Sequence, residues 1–84
     1  MTFLSYLATV FGTAMALGNL PQAYRIFRRK SAKDLSILTF SIWFVGALIW
    51  IMYGLELGDS PLVIANTIGF FTLGLVIIGW ALYR

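Results

Sequence analysis

Charge divides this chain into three uncharged runs, from Met1 to Tyr24, from Leu35 to Leu55 and from Ser60 to Tyr83. Each is at least as long as the roughly 20 apolar residues that a helix needs to cross about 30 Å of hydrocarbon. Inside a bilayer the backbone has no water to bond, so such a run satisfies its peptide groups as a helix. The runs predict an all-α membrane protein, a single domain over 1–84 with three transmembrane helices at about 2–24, 35–55 and 61–83. Composition agrees, since 61% of the residues are hydrophobic and only 11% charged, where a soluble domain carries about 25%.

Orientation follows from the connections. The first holds Arg25, Arg28, Arg29, Lys30 and Lys33 against Asp34, and the second holds Glu56 and Asp59 without a base. Basic residues beside a span are retained on the cytoplasmic side, which predicts an external N-terminus and a cytoplasmic C-terminus in a cell membrane. Topology thus accounts for the net charge of +3, and no nucleic-acid partner is called for. A cleaved signal peptide is disfavoured, because no positive region precedes the first apolar run. With no His and no Cys, imidazole or thiolate metal sites and the usual nucleophile triads are excluded. No metal or cofactor is expected.

Near the end of the first span stands Gly18-Asn19-Leu20-Pro21-Gln22. A proline has no N–H for the carbonyl four residues back, here Leu17, and its ring crowds that carbonyl, so the helix bends or loosens there. On the same span Gly12 and Ala16 are spaced for close approach to a neighbouring helix, most simply within the same chain. The hydroxyls of Thr9 and Thr13 are expected to bond back to their own helix.

Asp34 is the expected N-cap of the second span. Along that span Trp43, Gly46, Trp50 and Tyr53 recur at three, four and three residues, the spacing of one helix face. Tyr53 lies near the outer end, where aromatic residues serve as interface anchors. Trp50 lies only about 7 Å outward of the span's middle, below the headgroups. Gly54 and Gly58 are expected to end this helix, with Ser60 as N-cap and Pro61 as first residue of the next. The strongly polar residue of the third span is Asn66, about 9 Å outward of centre and so level with Trp50. An amide at that depth must face the protein interior or a wet cavity. Two readings of Asn66 stay open at this point, a hydrogen bond between helices and a contact to a polar solute.

Pro21-Gln22 at the inner end of the first span, Trp50 with Tyr53-Gly54 on the second and Ala65-Asn66 on the third together resemble the bacterial SemiSWEET sugar transporters of the PQ-loop superfamily. The resemblance covers the whole chain in length, layout and loop charge. It implies a parallel homodimer in a bacterial inner membrane, a mono- or disaccharide held at the dimer axis, and alternating access with Pro21 and Gln22 as hinge. The family's binding residues carry over onto Trp50 and Asn66. Its outer gate carries over onto Tyr53 and Asp59, but the arginine that several members pair with the aspartate is replaced by Leu57, so Tyr53 is expected to close the outer side and to hydrogen-bond to Asp59. Phe40 and Trp43 are the candidates for the inner gate.

Physical reasoning sets further expectations. Three helices cannot enclose a sugar, so transport requires two copies, and an odd number of spans makes them parallel. An indole face suits the C–H face of a sugar ring, and an amide suits its hydroxyl rim. Ion-coupled carriers usually keep an ionisable residue inside the membrane, and Asp34, Glu56 and Asp59 all lie in loops or at span ends. A uniporter is therefore expected, with bending at Pro21 moving the inner end of the first span. The alternative is a non-transporting structural subunit of a membrane complex, in which Asn66, Gly12 and Ala16 are packing devices. An enzyme is not expected, because Glu56 and Asp59 on the outer rim lack any accompanying base or metal ligand.

Overall fold

The computed structural model of the chain describes residues 2–33 and 35–84. They form four helices, α1 (Phe3–Leu17), α2 (Asn19–Arg29), α3 (Ile37–Leu57) and α4 (Ser60–Tyr83). α1 and α2 run on as one span, Phe3–Arg29, so three helical units are long and apolar enough to cross a membrane. The first unit therefore continues past Tyr24 through Arg25, Arg28 and Arg29.

The interruption between α1 and α2 falls at Gly18 and not at Pro21. Pro21 occupies the first turn of α2, where a missing N–H removes no intrahelical bond. One turn earlier Gly18 takes φ −59° and ψ −18°, still in the right-handed helical region. Its N–H is shared between the carbonyls of Ala14 at 3.0 Å and Met15 at 3.2 Å. A Cβ at Gly18 would stand 3.1 Å from the Met15 carbonyl oxygen, so a residue without one is suited to the break.

Two of the expected caps are corrected. α3 is capped by Ser36, whose hydroxyl accepts the Thr39 N–H at 3.4 Å; Asp34 lies outside the described residues. α4 is capped by Asp59, whose Oδ1 accepts the Leu62 N–H at 3.3 Å, and Ser60 is the first helical residue. A carboxylate at this end also meets the positive pole of the helix. Gly58, with φ 67°, closes α3 in the left-handed conformation. Gly54 remains inside α3 as a packing residue, since a Cβ there would stand 2.9 Å from Val63 Cγ2.

The order of the helices in space differs from their order in the chain. α4 packs against α1, α2 and α3, whereas the backbones of α1 and α2 do not approach α3. Along α1 and α4 small residues oppose small residues. A Cβ on Gly12 would lie 2.9 Å from Ala65 Cβ, and one on Gly69 would lie 3.7 Å from Ala16 Cβ. Lipid removes the hydrophobic drive for helix pairing and leaves close packing to hold the pair. The Gly12 and Ala16 spacing is thus used within the chain. Against α3 the packing is aromatic, with the Phe44 and Phe70 rings stacked at 4.4 Å.

The buried core is small and lies toward the basic loop. Ala23 and Ile26 of α2, Ala32 of the loop and Val76 of α4 form it, with Leu35, Phe40, Trp80 and Tyr83 packed around them. Gly79 admits Ile26, since a Cβ there would stand 2.8 Å from Ile26 Cγ2. The Ala32 N–H donates to the Tyr83 carbonyl at 3.2 Å and ties the loop to the end of α4. α1, by contrast, contributes no buried residue.

Candidate functional site

Because α4 separates α1 from α3, a cleft runs between the two flanking helices with α4 as its floor. Its volume is about 630 Å³. Trp50 and Asn66 both line it, as their equal depth predicts, and so does Trp43. Gly12, Met15, Ala16 and Asn19 form the opposite wall, and among the described residues no lining residue is charged.

The α3 wall is built from the face that repeats Trp43, Gly46 and Trp50. A Cβ on Gly46 would meet nothing within 4 Å, so the gap between the two indoles stays open. Each indole is held edge-on by a second ring. Trp50 meets Tyr53 with centroids 5.6 Å apart, and Trp43 meets Phe40 at 5.3 Å. Both indoles are about half exposed, Trp50 at 50% and Trp43 at 53%. They therefore offer aromatic faces that the chain does not cover. Phe40 lies outside the cleft lining and packs against the buried cluster near the basic loop.

Asn66 donates through Nδ2 to the Leu62 carbonyl of its own helix at 2.9 Å. That bond fixes the amide plane and occupies one of four hydrogen-bonding positions, so acceptor and donor capacity remains for a solute. Among the described residues it forms no hydrogen bond to another helix. Asn66 also lines a second, smaller hollow near the α1 and α4 N-termini, together with Thr2, Ser5 and Asp59. At the same end, the expected bond from Tyr53 to Asp59 is absent among the described residues. The carboxylate is used by the Leu62 N–H, and Tyr53 packs on Trp50.

Pro21 is exposed on α2 and does not line the cleft, and Gln22 accepts from Arg25 Nη2 at 3.2 Å. The polar residues at the break that do engage a neighbour are Asn19 and Thr72, which sequence reasoning missed. The hydroxyl of buried Thr72, on α4, reaches the Ala16 carbonyl at 2.9 Å and the Gly69 carbonyl at 3.1 Å. Asn19 Nδ2 donates to the Ala16 carbonyl at 3.1 Å and to Thr72 Oγ1 at 3.2 Å. The available signal was Asn19 itself, a second amide within an uncharged span.

Comparison with known proteins identifies the chain's relatives. The family model described as sugar efflux transporter for intercellular exchange matches residues 2–84. The chain belongs to that family of SemiSWEET and SWEET sugar transporters. Over 66 residues it is 29% identical to the sugar transporter SemiSWEET of Bradyrhizobium diazoefficiens, covering 79% of this chain and 77% of that one. The sugar transporter SemiSWEET of Leptospira biflexa is 29% identical over 58 residues, 69% of this chain and 68% of the relative. The sugar transporter SWEET1 of Danio rerio is 38% identical over 64 residues, which make up 76% of this chain and 29% of that protein. A crystal structure of a bacterial homologue of SWEET transporters superposes with a TM-score of 0.92 at 26% identity, covering 99% of this chain and 100% of the other. The SemiSWEET family consists of sugar transporters and not enzymes, and the three-span fold is the family's own.

Proposed function

We propose that the chain is a facilitative sugar uniporter that works by alternating access as a parallel homodimer. The observation that carries the reading is the uncharged cleft in which Trp50 and Asn66 share one level. Two parallel copies facing each other across their clefts would enclose one cavity walled by two Trp50 faces and two Asn66 amides. The half-exposed indoles and the open side of the cleft support that arrangement. The relatives' names carry sugar as the substrate class, and a mono- or disaccharide fits a cavity of aromatic walls with amide rims. Among the described residues the cleft lining holds no acidic or basic side chain, which supports transport driven by the sugar gradient alone.

In this reading the break between Gly18 and Pro21, with Gln22, is the hinge of the first span. Tyr53 and Asp59 stand at the outer gate, with Tyr53 acting through its packing on Trp50. Trp43 and Phe40 stand at the inner gate. The loop charges set the N-terminus outside and the C-terminus inside a bacterial cell membrane. The rival reading, a structural subunit, needs Asn66 as a link between helices, and its bond to Leu62 of its own helix weighs against that role.

The test is uptake of radiolabelled mono- and disaccharides into liposomes holding the purified protein. The parent is expected to equilibrate at least one sugar, and Trp50→Ala and Asn66→Ala are expected to lose most of that flux while remaining dimeric. A parent that moves no sugar, or two variants that transport normally, would overturn the proposal.

A further inference from the structure

Another concavity lies at the basic end of the chain, clear of the cleft that holds Trp50 and Asn66. It is a hollow of about 250 Å³ in which Gln22, Arg25 and Arg29 of α2 stand around Ile26, with Ser31 and Lys33 on the loop side. Arg25 and Arg29 are four residues apart and share a helix face. Three of the five basic residues between Arg25 and Lys33 thus converge on one hollow. Retention of a loop on one side of a membrane depends on the number of its charges and not on their convergence. Arg28 would serve that purpose equally, and it does not line the hollow but donates to the Tyr24 hydroxyl at 3.2 Å.

The polar groups around the hollow are left as donors. Gln22 Oε1 is taken by Arg25 Nη2 at 3.2 Å, which turns the amide's NH₂ group outward from that bond. Ser31 Oγ accepts the Lys33 N–H at 3.4 Å and keeps its own hydrogen to give. At the end of α2 the Ile26 carbonyl is closed by the backbone N–H groups of Lys30 and Ser31 and needs no arginine. Asp34, between Lys33 and Leu35, lies outside the described residues. Two guanidiniums, an ammonium, an amide and a hydroxyl match an acceptor-only, tetrahedral anion.

We propose that this hollow binds a phosphate group, supplied either by a soluble phosphate ester or by the headgroup of an anionic lipid. The site uses none of the cleft residues and shares only Gln22 with the residues proposed for transport. Arg25 and Arg29 are exposed, so replacing them does not disturb the core.

The test is titration of inorganic phosphate into the full chain reconstituted in phosphatidylcholine nanodiscs, read by calorimetry. Saturation at one phosphate per chain is expected. Arg25→Gln with Arg29→Gln should weaken it by about tenfold or more, from the loss of two basic contacts. Arg28→Gln with Lys30→Gln removes the same charge from outside the hollow and should change it by less than about threefold. Equal losses in the two double variants would show a diffuse charge effect and overturn the site. Repeating the titration with phosphatidylglycerol in the nanodisc separates the sources: a lipid occupant blocks phosphate binding in the parent, and a soluble ligand's site stays open. Absence of saturable phosphate binding in phosphatidylcholine, with no more phosphatidylglycerol retained by the parent than by the Arg25/Arg29 variant, would also overturn it.

Discussion

Asn19 and Thr72 meet across the break in the first span, with Asn19 Nδ2 3.2 Å from Thr72 Oγ1 and both groups closing on the Ala16 carbonyl at 3.1 and 2.9 Å. The interrupted helix is therefore stitched to α4 at the one place where its own ladder is weakest. An unmet carbonyl in hydrocarbon is costly, and two side chains from different spans remove that cost together.

Thr72→Val keeps the shape and removes the hydroxyl. It is expected to destabilise the chain by about 1 kcal/mol, the usual scale of a hydrogen bond between membrane helices, while Thr72→Ser keeps most of the stability. Unfolding of the purified protein in mixed detergent micelles checks both. A valine variant as stable as the parent would show that the contact contributes nothing.

Gly12→Val should separate α1 from α4. Even a Cβ at this position stands 2.9 Å from Ala65 Cβ, and overpacking of this kind costs about 1–3 kcal/mol. Ala65→Gly in the same chain should recover part of the loss. A double variant no better than Gly12→Val alone would mean that the crowding lies elsewhere.

The aromatic residues of α3 fall in two places, Trp50 and Trp43 in the cleft and Phe40 against the buried cluster. Trp50→Ala and Trp43→Ala should each weaken sugar binding by roughly tenfold, about 1.4 kcal/mol, because both indoles line the cleft. Phe40→Ala should leave affinity near the parent's and lower thermal stability, since Phe40 packs against the buried cluster. Intrinsic fluorescence titration and thermal unfolding separate the two effects.

Pro21→Ala should slow transport and leave sugar affinity nearly unchanged if the break is a hinge. Counterflow rates beside equilibrium binding make the distinction. Parent-like rates would reduce the break to a static kink.

A pH gradient imposed on sugar-loaded liposomes should not drive accumulation above equilibrium, because among the described residues the cleft lining holds no acidic or basic group to carry a proton. Sustained uphill uptake would reject the uniport reading.

Spans and site level were legible because they depend on one-dimensional quantities. Charge gaps mark helices, and counting along two helices puts Trp50 level with Asn66. The caps were misread because Asp59 and Ser60 are adjacent and both able to cap, so composition does not choose between them. The order of the helices was hidden, since α1, α3 and α4 are apolar on every side and no stripe says which neighbour a face will meet. Asn19 and Thr72 were missed for that reason: their meeting depends on α4 lying against the first span.

Two arms joined at one break need not turn equally, and here only one of them is anchored by buried side chains. Ala23 and Ile26 sink α2 into the core beside Val76, and Ala32 ties its following loop to Tyr83, whereas α1 has no buried residue. Flexing at Gly18 would then leave the basic end as the stator and swing α1, the reverse of the motion expected from the position of Pro21 alone. Hydrogen exchange would register the asymmetry as late-exchanging amides in α2 and early-exchanging ones in α1.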